Sequence, residues 1–283
     1  MTSYVVYDVF TDCRFGGNPL AVIPHAQAVP EDQLQKIARE FNFSETTFVY
    51  PPENPDHTAR VRIFTPTMEI PFAGHPTIGT AIALRDAGRD GPMVLELGVG
   101  PIPCGFDGEN AAFTTMVPLE RVGSPDIPLV AACLGLSEDA VTSQTHAPMQ
   151  AGVGLPFVFV ELRDKAALTA CAPAIDKFRE GASRYPTDID FAIFAYVRSG
   201  QAVDARMFAP LDNIPEDPAT GSAAAALTAL LTDILEADLS LTITQGETMG
   251  RPSTIHAKST RAADVAITIS GTAVKVMEGR LTL

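Results

Sequence analysis

Phe64-Thr-Pro-Thr-Met-Glu-Ile-Pro-Phe-Ala-Gly-His-Pro-Thr-Ile-Gly-Thr-Ala81 is one of two related segments in this chain, and the other is Phe208-Ala-Pro-Leu-Asp-Asn-Ile-Pro-Glu-Asp-Pro-Ala-Thr-Gly-Ser-Ala223. The two segments and the residues just before them agree at a constant offset in these pairs: Arg62 with Arg206, Phe64 with Phe208, Pro66 with Pro210, Ile70 with Ile214, and Pro71 with Pro215. After a gap, His75-Pro76 matches Asp217-Pro218, and Gly79-Thr80-Ala81 matches Gly221-Ser222-Ala223. A repeat spaced by about half the chain indicates a duplication, so we predict two similar domains.

Both segments predict the start of a helix. Asp217 is a preferred N-cap residue and Pro218 suits the first helical position, and His75-Pro76 repeats this arrangement with a weaker cap. The residues that follow, 78–84 and 223–231, are apolar on nearly all sides, so each helix should be buried at the centre of its domain. The free N–H groups and positive dipole end of each helix could bind an anion. We expect the two helix starts to face each other across a cleft.

The rest of the chain predicts an α+β fold. Short strands alternate with one long helix in each half, which favours two pseudo-symmetric domains, each an antiparallel, barrel-like sheet around its own central helix. The Pro- and Gly-containing segment 122–128 is predicted to link them, with domains at 1–120 and 121–275.

Composition excludes several classes of function. The formal net charge of −14 argues against a nucleic-acid partner or an anionic membrane surface. No apolar run is long enough to span a membrane and no export signal is visible, so we expect a cytoplasmic protein. Nucleotide-binding, dinucleotide-binding and zinc-hydrolase motifs are absent, and we expect neither a metal nor a cofactor.

The cysteines predict no catalytic role. Cys13, Cys104, Cys133 and Cys171 lack metal-type spacing, and neither helix start carries a thiol. We therefore expect four reduced cysteines that act as packing residues, which disfavours a racemase that uses two thiols.

Three titratable residues are candidates for catalysis: Glu45, His75 and Asp217. Glu45 lies between Phe43 and Phe48 with little charge nearby, which suits a carboxyl that exchanges a proton with carbon, although an exposed loop glutamate would look similar. His75 could simply be a packed histidine, and Asp217 a helix cap. Candidates for substrate binding are Asn18, Ser44, Gly74, Thr80, Gly221 and Ser222. Asn18 could equally be a turn residue, Thr80 and Ser222 helix-interior hydroxyls, and the glycines sites of tight packing.

Five segments together resemble the PhzF family of phenazine-biosynthesis-like proteins, which share the diaminopimelate epimerase fold. They are Asp8–Thr11 with Phe15–Pro19, Asn42–Phe48, Pro71–Thr80, Glu216–Ser222 and Gln245–Ser253. The resemblance implies a site in the cleft between the domains, a homodimer, and a last strand, 276–283, that joins the first domain. It also implies roles, since the family's catalytic glutamate, histidine, aspartate and serine match Glu45, His75, Asp217 and Ser222.

These observations predict a cofactor-independent isomerase or epimerase that moves a proton on a small carboxylated substrate. In the family's best-understood member the proton moves between ring carbons of a dihydro-hydroxyanthranilate. The alternative is a non-catalytic binding or scaffold protein that retains the fold.

Overall fold

A computed structural model describes residues 2–187, 190–262 and 264–283 of the chain. It divides into two compact units, Met1–Thr114 with Ile269–Leu283, and Thr115–Thr268. Each unit combines β-strands with α-helices, which confirms the α+β class.

The first unit opens with two strands, and an α-helix, three strands, a second α-helix and three further strands follow in that order. In chain order its elements are β1 (Thr2–Val9), β2 (Asn18–Ile23), α1 (Glu31–Phe41), β3 (Glu45–Tyr50), β4 (Ala59–Phe64), β5 (Glu69–Ile70), α2 (Gly74–Asp86), β6 (Met93–Leu97), β7 (Gly100–Asp107) and β8 (Asn110–Thr115). Antiparallel pairs join β1 to β2, β3 to β4, β6 to β7 and β7 to β8. Parallel pairs join β2 to β3 and β4 to β6, and each contains a helix in its connection.

The second unit repeats this connectivity. Its elements are β9 (Glu120–Gly123), α3 (Ile127–Cys133), β10 (Met149–Val153), β11 (Leu155–Glu161), α4 (Lys165–Ala170), α5 (Ile175–Arg184), β12 (Ile193–Ser199), β13 (Ala202–Ala209), β14 (Ile214–Asp217), α6 (Gly221–Leu235), β15 (Ser240–Gln245) and β16 (Ser253–Arg261). Antiparallel pairs join β9 to β10, β10 to β11, β12 to β13 and β15 to β16. The parallel pairs are β11 with β12 and β13 with β15, again with helices between them.

The chain ends with β17 (Val265–Gly271) and β18 (Ala273–Leu281). The last strand pairs antiparallel with β1 in the first unit. The parallel pairs depart from the purely antiparallel sheets expected from the sequence, because a connection that passes through a helix returns the chain in the same direction.

The two central helices are buried as predicted. In α2 every residue from Gly74 to Leu84 is buried, and the helix packs against β1, β2, β3, β6 and β18. In α6 the buried residues run from Gly221 to Thr232 with Ser222 partly exposed, and the helix packs against β10, β11 and β16. Strands on several sides of one helix give each unit its barrel-like form.

Both predicted helix caps are wrong. Asp217 ends β14, and α6 begins at Gly221 with Thr220 as its N-cap. In the first unit α2 begins at Gly74, so His75 lies inside the first helical turn. Asp217 stays extended because it pairs with Met207 on β13.

Other local predictions differ in their outcome. Asp164 caps α4 as expected, since its side chain accepts a hydrogen bond from the Ala167 N–H at 2.8 Å. The sequence missed β7, β10 and α5. Segment 122–128 is not a free linker, because Glu120–Gly123 forms β9 and α3 begins at Ile127. In the part of the chain that is described, no helix is long and apolar enough to cross a membrane.

Candidate active site

Glu45 and His75 meet in the first unit. Glu45 is the first residue of β3, and His75 lies in the first turn of α2. Glu45 Oε2 is 2.8 Å from His75 Nδ1, and the two side chains are 15% and 3% exposed. This distance is that of an ion pair, yet Glu45 Oε2 makes no hydrogen bond of acceptable geometry to the described residues. The two groups are therefore in contact, but no hydrogen bond of acceptable geometry fixes one against the other.

The far nitrogen of the histidine strengthens this picture. His75 Nε2 is buried and has no hydrogen-bond partner among the described residues. Buried polar atoms are normally hydrogen-bonded, and an unsatisfied one costs about 1–3 kcal/mol. Two such atoms, Nε2 of His75 and Oε2 of Glu45, on side chains that are in contact are typical of a functional site.

The framework around this pair is rigid. Next to Glu45, Thr47 is fully buried and accepts a hydrogen bond from the Thr80 hydroxyl at 3.0 Å, which ties β3 to α2. Thr80 thus makes a structural contact, and the substrate-binding role assigned to it from sequence stays a prediction. Gly79 allows close packing, because a Cβ there would lie 2.6 Å from side-chain atoms of Leu20 and Val9.

The remaining first-unit candidates lie near the start of the same strands. Asn18 is the first residue of β2 and is fully buried, and Ser44 directly precedes Glu45. Since Leu20 is in register with Glu45 in the parallel β2–β3 pair, both candidates belong to the same end of that pair as the Glu45 carboxyl. Gly74 is the first residue of α2, where Ala73 provides no side-chain cap for the amides of that turn.

Asp217 is held in a buried network in the second unit. The Thr220 hydroxyl donates to Asp217 Oδ2 at 2.6 Å, and the Asp217 side chain is nearly inaccessible. Gln245 Nε2 donates to the Asp217 backbone carbonyl at 2.7 Å and to Thr220 Oγ1 at 3.0 Å. Thr220 occupies the N-cap position of α6, but its side chain makes no capping hydrogen bond to the amides of the first turn, where Gly221 and Ser222 follow.

Sequence reasoning missed Thr220 and Gln245. Gln245 lies within a segment that carries the family resemblance, but its role depends on a contact between β15 and the β14–α6 loop. No pattern within residues 217–222 reveals that contact.

The cysteines differ from their predicted role at one position. Cys104, Cys133 and Cys171 are buried, whereas Cys13 is exposed, so the expectation that it packs is wrong. Burial raises the pKa of Cys104 and of Cys133 to about 12, and that of Cys171 to about 11. The hydrogen bond from Cys13 to Asp12 raises the pKa of the exposed thiol as well. None of the four has the lowered pKa of a thiolate nucleophile.

The described residues contain no group of three or more His, Cys, Asp or Glu side chains that could hold a metal ion. The candidate residues described are a carboxyl and an imidazole in contact within the first unit, and, within the second unit, a carboxyl that precedes a helix start.

Comparison with known proteins identifies the family. The chain matches the phenazine biosynthesis-like protein family, PhzC-PhzF, over residues 7–279. It is 37% identical to an uncharacterized isomerase of Mesorhizobium japonicum, over 99% of this chain and 98% of the relative. It is 35% identical to a trans-2,3-dihydro-3-hydroxyanthranilate isomerase of Pseudomonas chlororaphis, over the whole of both chains.

A solved structure gives the same fold. The crystal structure of a Bacillus anthracis phenazine biosynthesis protein of the PhzF family superposes with a TM-score of 0.89 at 23% identity, over 100% of this chain and 99% of the other. Because the family match covers residues 7–279 and both isomerases named above are at least 35% identical over almost the whole chain, this chain belongs to the phenazine biosynthesis-like (PhzF) family and is a PhzF-like isomerase.

Proposed function

We propose that the chain is a cofactor-independent isomerase or epimerase that moves a proton between carbon atoms of a small carboxylated substrate. The observation that carries the proposal is the buried pair of Glu45 and His75, with a 2.8 Å contact and unsatisfied polar atoms on both side chains. A carboxyl that exchanges a proton with carbon must be close to its substrate and shielded from bulk water. Glu45 meets the second requirement at 15% side-chain exposure.

Glu45 removes the proton from one carbon and returns it to another. His75 adjoins the same carboxyl oxygen through Nδ1, so it stabilises the carboxylate before proton abstraction, while Nε2 can hydrogen-bond the substrate. Asp217 is the third titratable group and would, like His75, hydrogen-bond the substrate. General acid–base catalysis of this kind contributes about 10²–10⁴-fold, so orientation and electrostatics must supply the rest.

The helix starts would hold the substrate's anionic oxygens. The amides of Gly221 and Ser222 at the start of α6 have no side-chain cap. The amide of Gly74 at the start of α2 likewise has no side-chain cap. Such amides and the positive end of the helix dipole stabilise a carboxylate or an enolate oxygen. Asn18 and Ser44 would complete the contacts.

The name of one relative suggests the first probe. The Pseudomonas chlororaphis relative is named for trans-2,3-dihydro-3-hydroxyanthranilate, which carries a carboxylate on a partly reduced ring. We propose a substrate of this chemical type, with an acidic C–H bond near its carboxylate.

Solvent exchange tests the proposal. Incubation with trans-2,3-dihydro-3-hydroxyanthranilate in D₂O should place deuterium on a ring carbon of the product, as followed by NMR. Glu45→Gln should reduce this incorporation by about 10²–10⁴-fold. The matched control is Glu40→Gln, an exposed glutamate on α1, which should behave like the wild-type protein. Normal incorporation by the Glu45→Gln protein would remove Glu45 from the role proposed.

Two further expectations from the sequence remain predictions. A double-mutant cycle of Glu45→Gln and Asp217→Asn should show a non-additive loss of deuterium incorporation if both residues act on one substrate molecule.

Light scattering of the purified protein should give the mass of a homodimer.

A further inference from the structure

The Gln245 side chain has a defined orientation. The Thr220 N–H can only donate, and it meets Gln245 Oε1 at 3.2 Å. The Asp217 carbonyl can only accept, and it lies 2.7 Å from Gln245 Nε2. These two backbone groups together assign the amide oxygen and nitrogen without ambiguity.

This orientation sets the direction of the next hydrogen bond. Gln245 Nε2 has two hydrogens, of which the first goes to the Asp217 carbonyl and the second to Thr220 Oγ1 at 3.0 Å. Thr220 Oγ1 therefore accepts from Gln245 and directs its own hydrogen to Asp217 Oδ2 at 2.6 Å. Oδ2 is thereby an acceptor, which favours the ionised form of the carboxyl at that oxygen.

Close packing maintains the network. Gln245 is the last residue of β15 and is 1% exposed. Gly246 follows with a φ of +78°, and a Cβ at this position would lie 2.8 Å from the Pro218 carbonyl oxygen. The end of β15 and the loop that carries Asp217 thus approach more closely than a larger residue would allow.

Other charges beside the network are already paired. Glu216 accepts from both Arg206 Nε and Nη2 at 2.8 Å, and its Oε1 also accepts from the Thr248 hydroxyl. Glu247 pairs with Lys165 at 2.9 Å.

We propose that Gln245 is a positioning residue for Asp217: acting through Thr220, it holds Oδ2 as an acceptor and so keeps the carboxyl in one orientation and in its ionised form. The role in turnover rests on the function proposed above, whereas the effect on the carboxyl itself does not. Gln245→Glu removes both donors, and the new carboxylate takes the Thr220 hydroxyl for itself. Thr220→Val removes the donor without adding charge.

Carbon-13 NMR of protein labelled at the aspartate carboxyl carbons tests the proposal without a substrate. Asp217 is assigned by loss of its signal in Asp217→Asn. Loss of a hydrogen bond to an ionised group should raise the proton affinity of Asp217 about tenfold or more in Thr220→Val and in Gln245→Glu. Thr220→Ser should restore the wild-type titration, because serine keeps the donor. The matched control is Thr228→Val, a buried threonine of α6 whose hydroxyl bonds within the helix.

The outcomes separate the two proposals. An unchanged Asp217 titration in folded Thr220→Val would overturn the positioning role, whatever the activity of the protein. If the titration shifts but Glu45→Gln exchanges deuterium normally, the positioning role stands and the proposed function fails. If both hold, Thr220→Val should also lower the deuterium exchange rate about tenfold with a shifted pH profile, and an unshifted profile would contradict the positioning role of Gln245 and Thr220.

Discussion

Replacing Arg206 with methionine should cost about 3–5 kcal/mol of the free energy of unfolding. The guanidinium is 10% exposed and forms a bidentate pair with Glu216, which is 17% exposed. Its Nη1 also donates to the carbonyls of Leu168, Thr169 and Cys171 at 2.9–3.1 Å, which holds the end of α4. The substitution keeps most of the volume but leaves a poorly solvated carboxylate and buried carbonyls without their donor.

The duplication provides a matched control at Arg62. This arginine is the repeat partner of Arg206, and it forms pairs with Glu31 and Glu69 at 2.6–2.9 Å. The carboxylates here are 74% and 43% exposed, so water can solvate them once the arginine is gone. Arg62→Met should therefore cost about 1 kcal/mol or less.

Urea unfolding followed by far-ultraviolet circular dichroism would measure both costs, since the chain has no tryptophan for a fluorescence assay. The double variant Arg206→Met with Glu216→Gln should recover part of the loss, because it removes the orphaned charge. Equal costs for Arg206→Met and Arg62→Met would refute the argument from burial. A double variant less stable than Arg206→Met alone would refute the argument from the unpaired carboxylate.

Two other substitutions test the close packing around Gly79 and the burial of Asp212 beside Asp190. Gly79→Ala should destabilise the protein by about 1–3 kcal/mol despite the higher helix propensity of alanine, because its Cβ would lie 2.6 Å from Leu20. A thermal melt would measure this loss, with Gly105→Ala as the control, because the space around Gly105 is open. Burial, aided by a hydrogen bond to Asp190, raises the pKa of Asp212 to about 7. Because the pKa of Asp212 in the folded state exceeds that in the unfolded state, the free energy of unfolding should fall as pH rises from about 4 to about 7. Asp212→Asn should abolish this fall, so its free energy of unfolding relative to the wild type should be about 1–2 kcal/mol higher at pH 8 than at pH 5. Variant and wild-type melting temperatures that change together between these pH values would contradict this prediction.

Much of the fold is readable from the sequence because its signals are local. The apolar residues that follow each repeat predict buried helices from composition alone, and α2 and α6 are buried as expected. Alternation of apolar and polar residues predicts β4 at Ala59–Phe64 with correct bounds, and the apolar segment Met93–Leu97 predicts β6. Strand β7 escaped detection because Gly100–Asp107 contains two prolines and two glycines, which local propensity assigns to turns.

The candidate site is only partly readable. Residue chemistry and the family resemblance point to Glu45 and His75, but the 2.8 Å contact exists because β3 begins where α2 begins. The start of α6 lies at Gly221 rather than Pro218 because Gln245, on another strand, satisfies the Asp217 carbonyl and the Thr220 amide.

By itself, the sequence determined the duplication, the buried helices, the family and the residues that can titrate, since each depends on neighbours along the chain. Tertiary structure alone decided which oxygen of Asp217 accepts a hydrogen bond and which polar atoms of Glu45 and His75 stay unsatisfied. Hydrogen bonds act over about 3 Å between atoms that may be far apart in sequence, so their direction and their absence appear only once the strands and helices have packed.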